Sequence, residues 1–162
     1  MKKILLGLLF LLPSLTVSAD SWVYGGASIG SSTMEDQTSL AHSFYIGSGI
    51  MPWVGIEGGY TEHGKFDLYG GEINADSVYG ALKPNLNFGP LQLYAKVGVH
   101  SWLYSGEEDV TVKDDDGLDM MWAVGADFSL ASPIAIGIEY VTYTVADTEL
   151  SSVNATATLY LF

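Results

Sequence analysis

Cysteine is absent from the 162 residues, and so is arginine. Without cysteine there is no disulfide framework, thiolate zinc site, thiol nucleophile or lipid-modified N-terminal cysteine. Cations are scarce: six lysines face nineteen Asp and Glu, for a net charge of −13. No basic stripe remains to neutralise phosphates, which excludes a nucleic-acid partner. Charged residues of both signs reach only 15%, against the roughly 25% of ordinary soluble domains. Helix-period apolar patterns are missing, and so are phosphate-binding glycine motifs. What the chain does have is 48% apolar residues, 12% aromatics and nineteen glycines. Aromatics spread along the whole chain argue against disorder, and the length suits one domain.

The N-terminus reads as a secretory signal peptide. Lys2 and Lys3 precede an apolar run from Ile4 to Leu12, Pro13 breaks it, and Val17-Ser18-Ala19 offers small residues for cleavage. The run is too short for a membrane-spanning helix, which needs about 20 residues. Cleavage is expected after Ala19, leaving residues 20–162 as a single domain. Beyond Ala19 no apolar stretch approaches that length, so an exported chain is either soluble outside the inner membrane or a membrane β-barrel.

Eight segments rich in Val, Ile, Tyr, Trp, Thr and Gly carry the strand signature. They are Trp22–Ser32, His42–Met51, Val54–His63, Ser77–Phe88, Leu91–Tyr104, Met120–Ala131, Ile134–Val145 and Ser152–Phe162. Such lengths suit tilted strands that cross a bilayer, about 9–11 residues each. The links alternate in kind. Three are short and contain proline: Met51-Pro52-Trp53, Gly89-Pro90 and Ser132-Pro133. Four are longer and polar: Thr33–Ala41, Gly64–Asp76, Ser105–Asp119 and Ala146–Ser151. Short turns at one end and long loops at the other are the arrangement of a membrane barrel.

Parity supports an inside-out barrel. Met120, Trp122, Val124, Ala126, Phe128 and Leu130 share one face, opposite Met121, Ala123, Gly125 and Asp127. Ile134, Ile136, Ile138 and Tyr140 likewise oppose Ala135, Gly137, Glu139 and Val141. Bulky apolar residues suit lipid; small residues with isolated charges suit a narrow lumen. The reading is therefore all-β, an eight-stranded antiparallel up-and-down transmembrane β-barrel. Aromatics at segment ends (Trp22, Tyr24, Trp53, Tyr60, Trp102, Tyr104, Tyr143, Tyr160, Phe162) are expected to form interfacial girdles. Pro84 predicts a bulge or an early strand end. In the last segment, Leu159 and Leu161 compete with Tyr160 and Phe162 for the lipid face, and alternation alone leaves the register open.

Several runs resemble the OmpA/OmpX-like family of eight-stranded outer-membrane barrels. They are Trp22-Val23-Tyr24-Gly25-Gly26-Ala27, Val54-Gly55-Ile56-Glu57-Gly58-Gly59-Tyr60, Tyr94-Ala95-Lys96-Val97-Gly98 and Gly137-Ile138-Glu139-Tyr140. The resemblance covers nearly the whole mature chain. It implies the outer membrane of a Gram-negative bacterium, with lipid and lipopolysaccharide as surroundings. It also implies that periplasmic chaperones and the assembly machinery read a terminal signal at Tyr160 and Phe162. The family often carries Arg in the lumen and before the terminal Phe, and this chain has none. It stops at Phe162, so a wall-anchoring domain is not expected.

Glu57, Lys83, Lys96 and Glu139 fall on the lumen face by parity, and Asp127 and His100 are candidates to join them. A charge facing hydrocarbon costs roughly 2–4 kcal/mol at the midplane, and a charge inside a narrow barrel needs a partner. In the resemblance, similarly placed charges form an internal salt-bridge network that closes the pore. The most acidic stretch holds Glu107, Glu108, Asp109, Asp114, Asp115, Asp116 and Asp119. It reads first as a solvated surface loop. Weak divalent-cation binding is the rival, though the spacing is not that of an EF-hand. His42-Ser43 and His100-Ser101 cannot act as dyads, because strand neighbours point to opposite faces.

No cofactor, metal site or catalytic residue is expected, and a monomer is expected because a closed barrel has no edges. The leading expectation is a non-enzymatic outer-membrane barrel with a closed lumen and a possible surface ligand at acidic outer loops. The rivals are a narrow gated pore, a lipid-modifying outer-membrane enzyme, and a soluble periplasmic barrel that binds apolar ligands.

Overall fold

The computed structural model describes residues 23–34, 37–68, 71–106, 116–145 and 148–161. Eight strands run β1 (Val23–Met34), β2 (Gln37–Met51), β3 (Val54–Leu68), β4 (Gly71–Phe88), β5 (Leu91–Gly106), β6 (Asp116–Ala131), β7 (Ile134–Val145) and β8 (Thr148–Leu161). Each pairs antiparallel with the next, and β1 pairs with β8 from Val23↔Leu161 to Thr33↔Ser151. The sheet is therefore a closed up-and-down barrel with no free edge.

The three proline turns stand where the sequence puts them. Each extends the ladder of the strand beyond it. Asn85 N donates to Trp53 O at 2.9 Å, Ser129 N to Pro90 O at 2.8 Å and Tyr160 N to Pro133 O at 2.8 Å. Gly89 supplies the positive φ of 65° in its turn, a conformation that side chains disfavour.

At the opposite end the strands run further than composition suggests. Met34 pairs with Gln37, Leu68 with Gly71 and Val145 with Thr148. Three of the four expected long loops are thus mostly strand, with two residues between the last paired positions. Backbone pairing needs no apolar side chains, so loss of hydrophobic alternation marks the end of the apolar belt, not of the strand. Residues 107–115 and the N-terminal segment 1–19 lie outside the described residues.

Pro84 does not end β4. The register with β5 is the same on both sides, at Leu82↔Val97 and Asn85↔Tyr94, with Pro84 in the two-residue gap between them. The bulges fall elsewhere. One sits between Glu62 and Lys65, where Gly64 takes a φ of 84°.

The apolar face points outward. Phe44, Ile138 and Met120 are 67%, 67% and 63% exposed, while Ala135 and Met121 are 0% and 1% exposed. A continuous exposed apolar belt is the reverse of a water-soluble barrel. That overturns the reading of a soluble barrel with an apolar ligand cavity. The last strand's register is settled: Leu159 and Leu161 face outward and Tyr160 faces the lumen, its ring 5.7 Å from that of Tyr24.

The girdle expectation needs correction. Trp53 and Tyr60 are exposed, but Tyr24, Trp102 and Tyr143 are buried inside the barrel. The lumen is therefore not merely small and polar. Its tyrosines lie over glycines of neighbouring strands: Tyr45 over Gly26, Tyr24 over Gly47, Tyr79 over Gly59 and Tyr94 over Gly125. A Cβ at any of these glycines would strike the ring, so each glycine makes room for one aromatic side chain. Trp22, the side chain of Tyr104, and Phe162 lie outside the described residues.

Candidate functional site in the barrel lumen

The central layer holds four charges from four strands. Glu57 comes from β3, Lys83 from β4, Lys96 from β5 and Glu139 from β7, and all four are buried. On at least one side of Glu57, Lys96 and Glu139 the ladder neighbour is small, which leaves room for the side chain to cross the lumen. Glu57 stands between Gly47 and Ala81, Lys96 beside Ala123 and Glu139 beside Gly125.

Lys96 Nζ lies 2.5 Å from Glu57 Oε1 and 2.5 Å from Glu139 Oε2, and Lys83 Nζ lies 3.2 Å from Glu57 Oε2. Continued through the gap at Lys83 and Pro84, the β4–β5 register would set Lys83 opposite Lys96, a repulsive pairing that the shared Glu57 offsets. Tyrosines complete the layer. Tyr79 and Tyr24 donate to Glu57 at 2.8 and 3.1 Å, and Tyr94 donates to Glu139 at 3.0 Å. Lys83 also sits over the rings of Tyr94 and Tyr24, 4.1 and 4.6 Å from their centroids. Buried charges persist only when paired and hydrogen-bonded, and this cluster meets both conditions.

Asp127 and His100 do not join it. Asp127 lies toward the proline-turn end. Its oxygens accept from Thr156 Oγ1 at 3.0 Å and Tyr160 Oη at 3.3 Å, and no cation pairs with it among the described residues. His100 lies toward the other end, where its Nε2 meets Thr144 O at 2.8 Å.

That end forms a second layer, in which aromatic and apolar side chains mix with buried hydroxyls such as Thr61, 3.2 Å from Tyr143 Oη. His63 and His100 meet the Tyr143 ring edge-on at 4.7 and 5.0 Å. Met34, Trp102, Met121 and Leu150 belong to the buried core there. Asp119, expected in a loop, is in β6 and accepts from Trp102 Nε1 at 2.8 Å. Asp116 opens β6, and Glu107, Glu108, Asp109, Asp114 and Asp115 lie outside the described residues. Among the described residues no three His, Asp or Glu side chains gather as metal ligands.

Sequence reasoning missed a histidine–serine contact. His63 Nε2 lies 2.9 Å from Ser77 Oγ, across β3 and β4. That is the geometry of an activated nucleophile. Both residues are buried in the lumen, and His63 Nδ1 has no orienting partner. The two are fourteen positions apart in sequence, so only the strand register reveals the pair.

A closed eight-stranded barrel with an apolar exterior and a charged core narrows the family. The sequence matches the outer membrane protein beta-barrel domain over residues 4–160. The chain belongs to that family. It is an outer-membrane β-barrel.

Its fold is similar to that of Neisserial surface protein A, with a TM-score of 0.70 at 10% identity, over 86% of this chain and 96% of that one. The N-terminal beta-barrel domain of Pseudomonas aeruginosa OprF gives 0.57 at 10% identity, over 84% and 97%. The outer membrane enzyme PagL gives 0.56 at 12% identity, over 85% and 99%. No curated protein matches the sequence. At such identities the likeness is one of fold, and this barrel fold carries an enzyme in PagL.

Proposed function

We propose that this family member is a non-enzymatic structural and surface-interaction protein whose lumen is held shut by the Glu57–Lys83–Lys96–Glu139 cluster. The observation that carries this reading is Lys96 held between two carboxylates across the barrel. The lumen side chains are committed to one another, which leaves the outer end of the barrel as the surface for partners. The apolar belt is solvated by outer-membrane lipid, with lipopolysaccharide in the outer leaflet. Residues 1–19 are removed on export, and the barrel of residues 20–162 works as a monomer. Chaperones and the assembly machinery read Tyr160 and Phe162 while the chain is unfolded, before Tyr160 turns into the lumen. The acidic stretch from Glu107 to Asp119 contributes to the outer surface, where weak divalent binding would bridge it to anionic lipopolysaccharide.

A narrow gated pore is the second reading. It is favoured by the sharing of Glu57 between two lysines, which would let partners exchange without leaving a charge unpaired. Planar-bilayer recording separates the two. The mature chain is refolded in detergent, and its fold is checked by the different migration of boiled and unboiled samples. A silent bilayer supports the closed barrel. Discrete current steps that change on Glu57→Ala or Lys96→Ala replace it with the pore.

A further inference from the structure

The buried charges of the described residues do not balance. Glu57, Asp127 and Glu139 are set against Lys83 and Lys96 alone. The central cluster uses both lysines, and Asp127, 2% exposed, is left with neutral partners. A buried carboxylate with no counter-charge is costly.

The surroundings of Asp127 are rich in oxygen. Thr156 Oγ1 stands 3.0 Å from Oδ1 and Tyr160 Oη 3.3 Å from Oδ2, and Tyr160 Oη is 3.0 Å from Gln92 Oε1. The backbone makes room for this group. Gly137 lies between Asp127 and Thr156 in the ladder, and a Cβ there would fill the space that Asp127 Oδ1 and Thr156 Oγ1 occupy. A glycine is thus required where two oxygens converge. A small cavity of about 30 Å³ at the proline-turn end, room for about one water-sized particle, reaches Gln92 and Tyr160 but is not lined by Asp127 or Thr156. An ion would therefore pass between the Gln92 and Tyr160 side chains to reach the carboxylate. Lys83 also borders it but is held by Glu57 at 3.2 Å.

We propose that Asp127, Thr156, Tyr160 and Gln92 form a binding site for one small monovalent cation of sodium size, entered from the proline-turn end. One missing positive charge calls for one monovalent ion, and a divalent ion would overshoot. Hard cations of this radius take oxygen ligands at about 2.3–2.6 Å, so oxygens of one shell stand slightly over 3 Å apart. The separations found here are those of hydrogen bonds, so the ion would replace the two hydroxyl hydrogens that now point at the carboxylate.

The test uses the full mature chain refolded in detergent, unfolded by urea at neutral pH. Sodium chloride is raised while tetramethylammonium chloride holds the ionic strength constant. The unfolding midpoint is expected to rise with sodium and saturate, as for any ligand that binds only the folded state. Asp127→Asn should fold and lose the sodium-specific shift. Thr156→Val, which keeps the carboxylate, should raise the half-saturating sodium concentration several-fold. A wild-type midpoint indifferent to sodium would overturn the site, and so would a sodium response that survives in Asp127→Asn. Should Asp127→Asn fail to fold, an unchanged half-saturation in Thr156→Val overturns it instead. An infrared band of a protonated carboxyl at neutral pH, without sodium and with sodium alike, would also sink it, since the missing charge would then be a proton.

Discussion

Glu57 and Lys96 meet at 2.5 Å although their strands, β3 and β5, share no ladder. The contact crosses the lumen, with β4 between them along the wall. Backbone hydrogen bonds fix only neighbouring strands, so this pair ties together parts of the wall that the sheet does not join directly. Lys96 reaches on to Glu139 of β7, which extends the tie across a further part of the circumference. In the proposed closed barrel the cluster is therefore an internal brace as well as an obstruction.

Breaking the brace on one side should be expensive. Lys96→Met leaves Glu139 with only the Tyr94 hydroxyl and Glu57 with one lysine. Removing one partner of a buried pair costs about 3–5 kcal/mol. The urea midpoint of the refolded barrel should fall accordingly. Lys96→Met combined with Glu139→Gln should cost less than the two single changes added together, because the second change removes the carboxylate that the first strands. Additive losses in a double-mutant cycle would show that the two groups do not act as a pair.

Two glycines on neighbouring strands should respond in opposite ways. A Cβ at Gly59 would stand 2.6 Å from Cε1 of Tyr79, the ring whose hydroxyl donates to Glu57. Gly59→Ala is expected to displace that ring and lower stability by about 1–3 kcal/mol, the cost of overpacking. A Cβ at Gly80 meets nothing. Gly80→Ala should leave the unfolding free energy in urea within about 0.5 kcal/mol of wild type. Equal losses at the two positions would remove packing against tyrosine as the reason for the glycine.

These glycines show what the sequence displays and what it hides. Alternation in β6 and β7 gives the two faces directly, because the apolar side must be continuous against lipid. The turns at Pro52, Pro90 and Pro133 are equally plain, since proline limits the backbone on its own. Sequence alone sets Tyr24 and Trp102 at an interface, because an aromatic residue near a strand end satisfies either location; in the barrel they lie over Gly47 and Gly117. What decides between them is a glycine on the adjacent strand, and that needs register, a long-range property. The same holds for Asp127. Parity puts it in the lumen beside the other charges, but its distance from Lys83 and Lys96 depends on the stagger of the strands around the barrel. His63 and Ser77 are invisible as a pair for the same reason.

A lysine on the outer face tests which side meets lipid. Ile138 is 67% exposed and lies midway along the outward apolar row of β7. In water a lysine there would be harmless. In a bilayer it should cost about 2–4 kcal/mol near the midplane. Ile138→Lys is expected to fold in detergent yet show a lower folded fraction in phosphatidylcholine vesicles, read from gel migration without boiling. Full folding in vesicles would mean that β7 faces something other than hydrocarbon.

The proposed closure of the lumen has two layers, and this bears on any pore. Beyond the charge cluster, His63 and His100 meet the Tyr143 ring edge-on, with Met121 and Leu150 buried beside it. An exchange of ion-pair partners rearranges only the central layer. Water and ions would still meet a layer of packed rings, methionine and leucine that no exchange of lysines removes. Glu57→Ala alone should therefore leave a planar bilayer silent. Tyr143→Ala alone should be silent too, because the ion pairs remain. Glu57→Ala with Tyr143→Ala together should admit current, provided the unboiled sample still migrates as a folded barrel. Steady current from Glu57→Ala alone would mean that the outer layer moves aside on its own, and the passage would then have one barrier instead of two.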